Sequence, residues 1–381
     1  MTSYCSFLIA NPLHCSLIES HAERLGWPIS FLPDPSQRFW FHEGGTTIIS
    51  HPQALGSQVV DGIPGQMLLI NTAEEAVANN IVQLICAAYD IIEGNPGERV
   101  ALRSVFPLPD DTAEHDSIYD NLFRKRGLFE HFVGPSELAV AVATAAMAWS
   151  DRSLIYAIHK LSRSYATESI TWWSRHPRYG QMFEKHSPLY GDHVGTSIAI
   201  NLAFSAIEEL QLQVKSSDKN RRWLDPKAGQ WNPDVLQDLQ VRMRAAHIDP
   251  DRTMTWIVRG DRSLAESKIT PALGIPTPYS DGQIVRDVEV TLPDALHIAS
   301  YIRNYMTAHR FGEASPFLGP YEVHNLQNLA RQLILCACGL WGISTSDLLK
   351  SSGGNRLFRS ETTISRMPRK RSCQDYRAAP G

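Results

Sequence analysis

The chain has 381 residues and a formal net charge of −4, with 43% apolar and 20% charged residues. This composition is ordinary for a globular protein, and the weak negative charge excludes a strongly basic nucleic-acid coat while permitting a local basic groove. No apolar run approaches the roughly 20 residues that span a bilayer, so we expect no membrane association. The first residues lack the charged and apolar segments of a secretion signal, so we expect a cytoplasmic protein.

Residues 1–132 are predicted to form an α+β module. Aromatic and β-branched runs predict strands at Tyr4–Ala10, Arg38–His42, Thr46–Ser50 and Gln66–Ile70. Glycine and proline pairs predict turns, at Gly44-Gly45 and Pro64-Gly65. Thr72 and Glu75 have the spacing of a capping box, and the apolar residues that follow at helical spacing predict one helix. The proline-rich residues 95–117 predict a loop or an extended link.

Residues 133–348 are predicted to form a helical bundle. Apolar periodicity predicts helices over Ser136–Tyr165, with a break near Ser150-Asp151, and over Ser197–Val214. Capping residues and prolines predict three more, over Pro233–Ala246, from Thr291 to a stop at Gly312, and over roughly Pro320–Leu340. Residues 349–381 are basic and poor in apolar residues, which predicts a disordered tail. The predicted fold is therefore mainly α, with a smaller α+β module before the bundle.

The six cysteines contain no CxxC pair. Cys336 and Cys338 lie in an apolar helical run, which favours buried structural thiols, with metal binding as the alternative. The pairs His14-Cys15 and His42-Glu43 lack partners at ligand spacing. Without a GxxxxGK[ST], GxGxxG or GxSxG motif, the usual nucleotide and hydrolase assignments also lose their support. We expect no metal site and no cofactor.

The segment Arg303–His309 holds the residues that metal-independent RNA cleavage requires. A histidine such as His309 exchanges protons near neutral pH. Arg303 can neutralise a phosphate under in-line attack, and Asn304 can hydrogen-bond around it. An offset of six residues puts the arginine and the histidine about 120° apart on a regular helix. They converge only if the last turn unwinds, or if two copies of the helix meet across a two-fold axis.

Arg303, Asn304 and His309 resemble the arginine, polar residue and histidine of the HEPN superfamily. That signature allows four to six residues between arginine and histidine, and this chain has five. Glu208 resembles the acidic residue on an early helix of these bundles. The resemblance covers roughly residues 137–345 and implies a metal-independent endoribonuclease. Such enzymes are often dimers, and are used as toxins or antiviral-defence effectors.

The resemblance also implies a mechanism. The RNA 2′-hydroxyl attacks the adjacent phosphate and leaves a 2′,3′-cyclic phosphate and a 5′-hydroxyl end. His309 would act as general base or acid, Arg303 would stabilise the pentacoordinate phosphate and Asn304 would position it. Glu208 would orient Arg303 or tune His309, or else it is a surface charge. We expect a homodimer that acts on RNA, with an antitoxin or trigger that the sequence does not name.

Two alternatives stay open. Trp172, Trp173, Arg175 and Arg178 form an aromatic, basic stretch that either binds single-stranded RNA by stacking or completes a helical core. For the whole chain, the main alternative is a non-catalytic helical binding or scaffold protein in which Arg303 and His309 have no chemical role. In the endoribonuclease hypothesis, the α+β module senses a signal or restrains cleavage.

Overall fold

The computed structural model describes residues 4–9, 19, 22–23, 25–33, 39–43, 46–50, 63–94, 105–107, 135–168, 190–225, 230–259, 285–307 and 318–341. In these residues seven α-helices accompany one six-stranded sheet and two two-stranded sheets. The described part of the protein is therefore mainly α, as the sequence predicts. None of its helices has both the length and the apolar character that a bilayer span requires.

The six-stranded sheet is antiparallel throughout. Its strands are β1 (Tyr4–Ile9), β2 (Ile29–Pro33), β3 (Phe39–Glu43), β4 (Thr46–Ser50), β5 (Ile63–Ile70) and β6 (Phe106–Pro107). Strand β5 pairs with β1, β2 and β3. Four strands match the predicted runs, whereas β2 and β6 were not predicted. The turn expected at Pro64-Gly65 is wrong: both residues lie near the start of β5, where a strand tolerates proline.

Helix α1 (Glu75–Glu93) follows β5 in the chain and contacts β1. The predicted capping box is displaced, because Thr72 Oγ1 accepts from the Glu74 backbone N–H and the helix begins at Glu75. The helix ends at Gly94, whose left-handed φ of 67° suits glycine and whose N–H donates to the Asp90 backbone oxygen.

Six helices follow: α2 (Pro135–Ala148), α3 (Arg152–Thr167), α4 (Tyr190–Glu209), α5 (Pro233–Ala245), α6 (Leu292–Ile302) and α7 (Pro320–Ala337). The predicted break at Ser150-Asp151 separates α2 from α3. Helices α3 and α4 pack against each other, and α7 contacts both. Helix α1 packs on α2 and α3. The predicted helix limits are confirmed most closely for α5, where they agree within one residue.

One buried cluster of side chains runs from the N-terminal sheet into the helices. It includes Ile70 of β5, Ile85 of α1, Leu161 of α3, Ile207 of α4 and Leu333 of α7, each at most 1% exposed. The division at residue 132 stays a prediction, and α1 on one side of it shares this core with helices on the other. Residues 349–381, the predicted tail, lie outside the described residues.

The second half of the chain also contains two antiparallel strand pairs that the sequence did not predict. Strand β7 (Trp223–Asp225) pairs with β8 (Gln230–Trp231), and β9 (Thr253–Arg259) pairs with β10 (Val285–Thr291). Strand β10 leads directly into α6. Helix α7 is fastened to β9 by Asn325, whose side chain accepts from the Ile257 backbone N–H and donates to its oxygen, at 3.0 and 2.8 Å. Helix α6 contacts α5, α7 and both strands of the β9–β10 pair.

Candidate active site

Helix α6 ends directly before the arginine of the predicted motif, Arg303. Its start follows the predicted capping pattern: Thr291 Oγ1 accepts from the Asp294 backbone N–H at 3.3 Å and lies 2.9 Å from Asp294 Oδ2. The apolar residues that recur at helical spacing are buried, as is usual for one face of a helix: Leu292, Ala295, Leu296, Ala299 and Ile302. His297, Ile298 and Ser300 are buried too. Most of the surface of α6 is therefore buried, and side chains that a ligand could reach lie beyond its carboxyl end.

At Arg303 the α-helix gives way to a π-helical turn, Arg303–Thr307, called the π turn below. The α-helix therefore ends at Ile302, before the predicted stop at Gly312. A π-helical turn has hydrogen bonds five residues apart and contains one extra residue, and such insertions are frequent at functional sites. The irregularity coincides with the segment that the sequence selected on chemical grounds. It contacts α4.

Arg303 faces three partners. Its Nη2 lies 3.9 Å from Glu208 Oε1, and its Nη1 donates to Asn304 Oδ1 at 3.0 Å. Its guanidinium carbon lies 5.9 Å from the ring centroid of Phe204, at cation–π distance. Glu208 and Phe204 are one turn apart on α4. The Arg303 and Glu208 side chains are 37% and 36% exposed, so the ion pair contributes at most about 1 kcal/mol and leaves the guanidinium open to a ligand.

Three of the predicted catalytic residues are therefore neighbours: Arg303, Asn304 and Glu208. The fourth, His309, lies outside the described residues. The predicted RNA-binding residues Trp172, Trp173, Arg175 and Arg178 also lie outside them, so both interpretations of that stretch stay predictions. The homodimer likewise stays a prediction.

The two adjacent glutamates of α4 have different partners. Glu208 faces the π turn, whereas Glu209 Oε1 lies 2.5 Å from Lys160 Nζ of α3. The same ammonium donates to Ser205 Oγ at 2.9 Å. Lys160 and Ser205 were not singled out from the sequence, and no local pattern links residues on separate helices. Lys160 therefore joins α3 to two residues of α4, Ser205 and Glu209.

His297 lies in the middle of α6, and its surroundings exclude it from acid–base chemistry near neutral pH. It is 2% exposed and makes edge contacts with Trp223 and Trp231, at 4.7 and 5.4 Å between ring centroids. Burial, and secondarily the charge of Arg222, lowers the pKa of His297 to about 3. The Trp231 Nε1 donates to Asp294 Oδ1 at 2.8 Å and so fixes this aromatic cluster to the start of α6.

Cys336 and Cys338 are both buried, and burial raises the pKa of each thiol, to about 12 for Cys338. Metals bind the thiolate, so these surroundings favour the structural interpretation. Among the residues described, no group of three or more His, Cys, Asp or Glu side chains is placed to hold a metal ion.

Comparisons with protein-family models, with curated proteins and with solved structures find no match to this chain. The HEPN resemblance therefore remains a prediction supported by residues 208, 303, 304 and 309 of the chain itself.

Proposed function

We propose that the protein is a metal-independent endoribonuclease of HEPN type. The observation that supports this function is the proximity of Arg303, Asn304 and Glu208. The sequence selected them in two separate segments, and the fold brings them within hydrogen-bond or ion-pair distance across α4 and the π turn. The arginine is also accessible, which a phosphate-binding residue requires.

In this site Arg303 binds the scissile phosphate. A guanidinium has five N–H donors in a planar fork, so it can contact Glu208 and still present donors to phosphate oxygens. Its charge becomes more valuable as the phosphate gains negative charge in the pentacoordinate transition state. Asn304 adds an amide N–H group beside it. Glu208 orients the arginine by fixing one edge of the guanidinium.

His309 serves as the general base or acid of the reaction. The nucleophile is the RNA 2′-hydroxyl, so DNA is not cleaved, and the products carry 2′,3′-cyclic phosphate and 5′-hydroxyl ends. The active unit is a homodimer with both motifs at a shared cleft. Its role is that of a toxin or antiviral-defence effector, restrained until an antitoxin is lost or a trigger arrives.

Cleavage of labelled RNA in the presence of EDTA tests this function. We expect the native protein to leave cyclic phosphate ends, and Arg303→Ala and His309→Ala each to lower the rate by at least about 100-fold, because each removes a transition-state contact or a proton-transfer group. Arg244→Ala is the matched control, since Arg244 is an exposed arginine on α5. Equal cleavage by all four proteins would refute the site.

A non-catalytic helical binding protein is the second candidate, and one observation favours it. Two of the described partners of Arg303, Glu208 and Phe204, give it a structural role, because these contacts join the end of α6 to α4. In that case the native protein does not cleave RNA, and the only effect of Arg303→Ala is a lower free energy of unfolding.

A further inference from the structure

The end of the π turn is fastened to α4 by a two-way hydrogen bond. Thr307, the last residue of the turn, is 9% exposed. Its Oγ1 donates to Asn201 Oδ1 at 2.7 Å, and Asn201 Nδ2 donates to the Thr307 backbone oxygen at 3.3 Å. One amide thus binds both the side chain and the main chain of Thr307. This pair of bonds is called the clamp below.

The clamp competes with a local hydrogen bond. The Thr307 hydroxyl also lies 3.2 Å from the Arg303 backbone oxygen, four residues earlier. A hydroxyl has a single proton to donate, and the shorter distance makes Asn201 its main acceptor. Without Asn201 the hydroxyl would bond to the Arg303 carbonyl, as threonines do inside ordinary α-helices. Asn201 therefore draws the end of the turn towards α4.

Asn201 belongs to a stripe on α4 that follows the π turn along its length. Phe204 and Glu208 continue the stripe at helical spacing and contact the guanidinium of Arg303. These two contacts act on the arginine side chain. Asn201 instead hydrogen-bonds the main chain of the turn at Thr307. The conformation of that main chain sets the position of the Arg303 Cα atom, from which the side chain extends.

We propose that Asn201 and Thr307 are positioning residues whose clamp keeps residues 303–307 in the π-helical form and so directs Arg303 towards Glu208. Relaxation to an α-helix would remove one residue from the turn and change the rotation between Arg303 and Thr307 by up to about 100°, so the two residues could not both keep their present contacts with α4. The placement of Arg303 is a structural claim. Its consequence, that a phosphate is bound correctly, rests on the proposed function.

The structural claim is tested without RNA. A double-mutant cycle of Arg303→Gln and Glu208→Gln, measured by urea unfolding, reports the coupling free energy between the two side chains. Thr307→Val removes the hydroxyl and keeps the shape, whereas Thr307→Ser keeps the hydroxyl. Thr144→Val is the matched control, because Thr144 is a buried threonine whose hydroxyl donates to the Val140 oxygen at 2.8 Å within α2.

We expect coupling in the native, Thr307→Ser and Thr144→Val backgrounds, and its loss in the Thr307→Val background. Coupling that persists in Thr307→Val, or that is absent from the native protein, would overturn the proposal. If Thr307→Val does not fold, Asn201→Ser removes the clamp from the α4 side, and loss of coupling in that background carries the same meaning.

RNA cleavage separates this inference from the proposed function. We expect Thr307→Val and Asn201→Ser to lower kcat by about 100-fold with little change in KM. Thr307→Ser keeps the hydroxyl and should retain a kcat close to the native value. An equal fall in Thr144→Val would indicate lost stability and would overturn the positioning role. A native protein that cleaves no RNA, but whose coupling is lost in the Thr307→Val background, would refute the proposed function and support the clamp.

Discussion

At the scale of single residues, exposure to solvent distinguishes Arg303 of the π turn from His297 of α6. Arg303 keeps a 37% exposed side chain beside a carboxylate and an amide. His297, six residues earlier, is enclosed by tryptophans, and its Nδ1 has no hydrogen-bond partner among the described residues. A buried imidazole in this position costs free energy, which the aromatic packing around it must offset.

His297 predicts a pH dependence of stability. Its folded pKa, about 3, lies below its ordinary value of 6.5, so the unfolded chain binds the proton first as the pH falls. The stability that neutral His297 provides is complete above pH 6.5 and is lost as the pH falls towards 3. The loss from this residue is at most about 1.4 kcal/mol per pH unit.

The measurement is urea unfolding between pH 7 and 4 for the native protein and His297→Phe. Phenylalanine keeps a ring between the tryptophans and cannot titrate. We expect it to flatten the decline by about 1 kcal/mol per pH unit and to leave the stability at pH 7 equal or higher. The same slope in both proteins would show that other groups cause the decline.

At the scale of elements, local signals placed most helix starts well and helix faces poorly. On α4 the predicted apolar side comprised Ile198, Leu202, Ile207 and Leu210. That face is wrong in part: Ile207 is buried as predicted, but Ile198 is 46% exposed while Ala199, Ile200 and Ala203 are fully buried. Apolar residues, several of them alanine, occur on all sides of this helix, so their periodicity in the sequence does not select one face. The close contact of α4 with α3 decides it.

The start of α3 yields a prediction about capping. Asp151 Oδ1 accepts from the backbone N–H groups of Ser153 and Leu154, at 2.8 and 3.4 Å. Asp151→Ala leaves these donors to water, and we expect a loss of about 1 kcal/mol in the free energy of unfolding. Asp151→Asn keeps the acceptor and should cost less than half of that. Thermal or urea unfolding measures both, and equal losses would show that charge matters more than the cap.

At the scale of the whole molecule, α1 is part of the helical core. Ser162 of α3 donates to Asp90 of α1 at 2.5 Å, and Arg331 of α7 donates to the Ile92 backbone oxygen at 2.7 Å. Removing residues 1–132 would delete α1 and expose the faces of α2 and α3 that it covers. A change in toxicity after such a deletion would therefore report on unfolding as well as on any restraint of cleavage.

The shared core predicts a single unfolding transition. Ile85→Ala removes a core side chain of α1 and is expected to cost about 2–5 kcal/mol. Because the core is continuous, far-UV and near-UV signals should shift together to lower urea concentration. Gln83→Ala, an exposed change in the same helix, is the control and should have little effect. Two transitions, with only one shifted by Ile85→Ala, would instead indicate two independent modules.

Much of the fold follows from the sequence by itself. Caps and prolines at Asp151, Asn232-Pro233, Thr291 and Pro320 determined where helices begin, because a helix end is satisfied by residues within one turn of it. The sequence also selected Arg303, Asn304 and Glu208 as chemical groups. The tertiary structure alone decided that they meet, that residues 303–307 adopt a π turn and that strands interrupt the predicted bundle. These features depend on contacts between segments far apart in the chain, such as the clamp between Asn201 and Thr307, and no local pattern encodes such contacts.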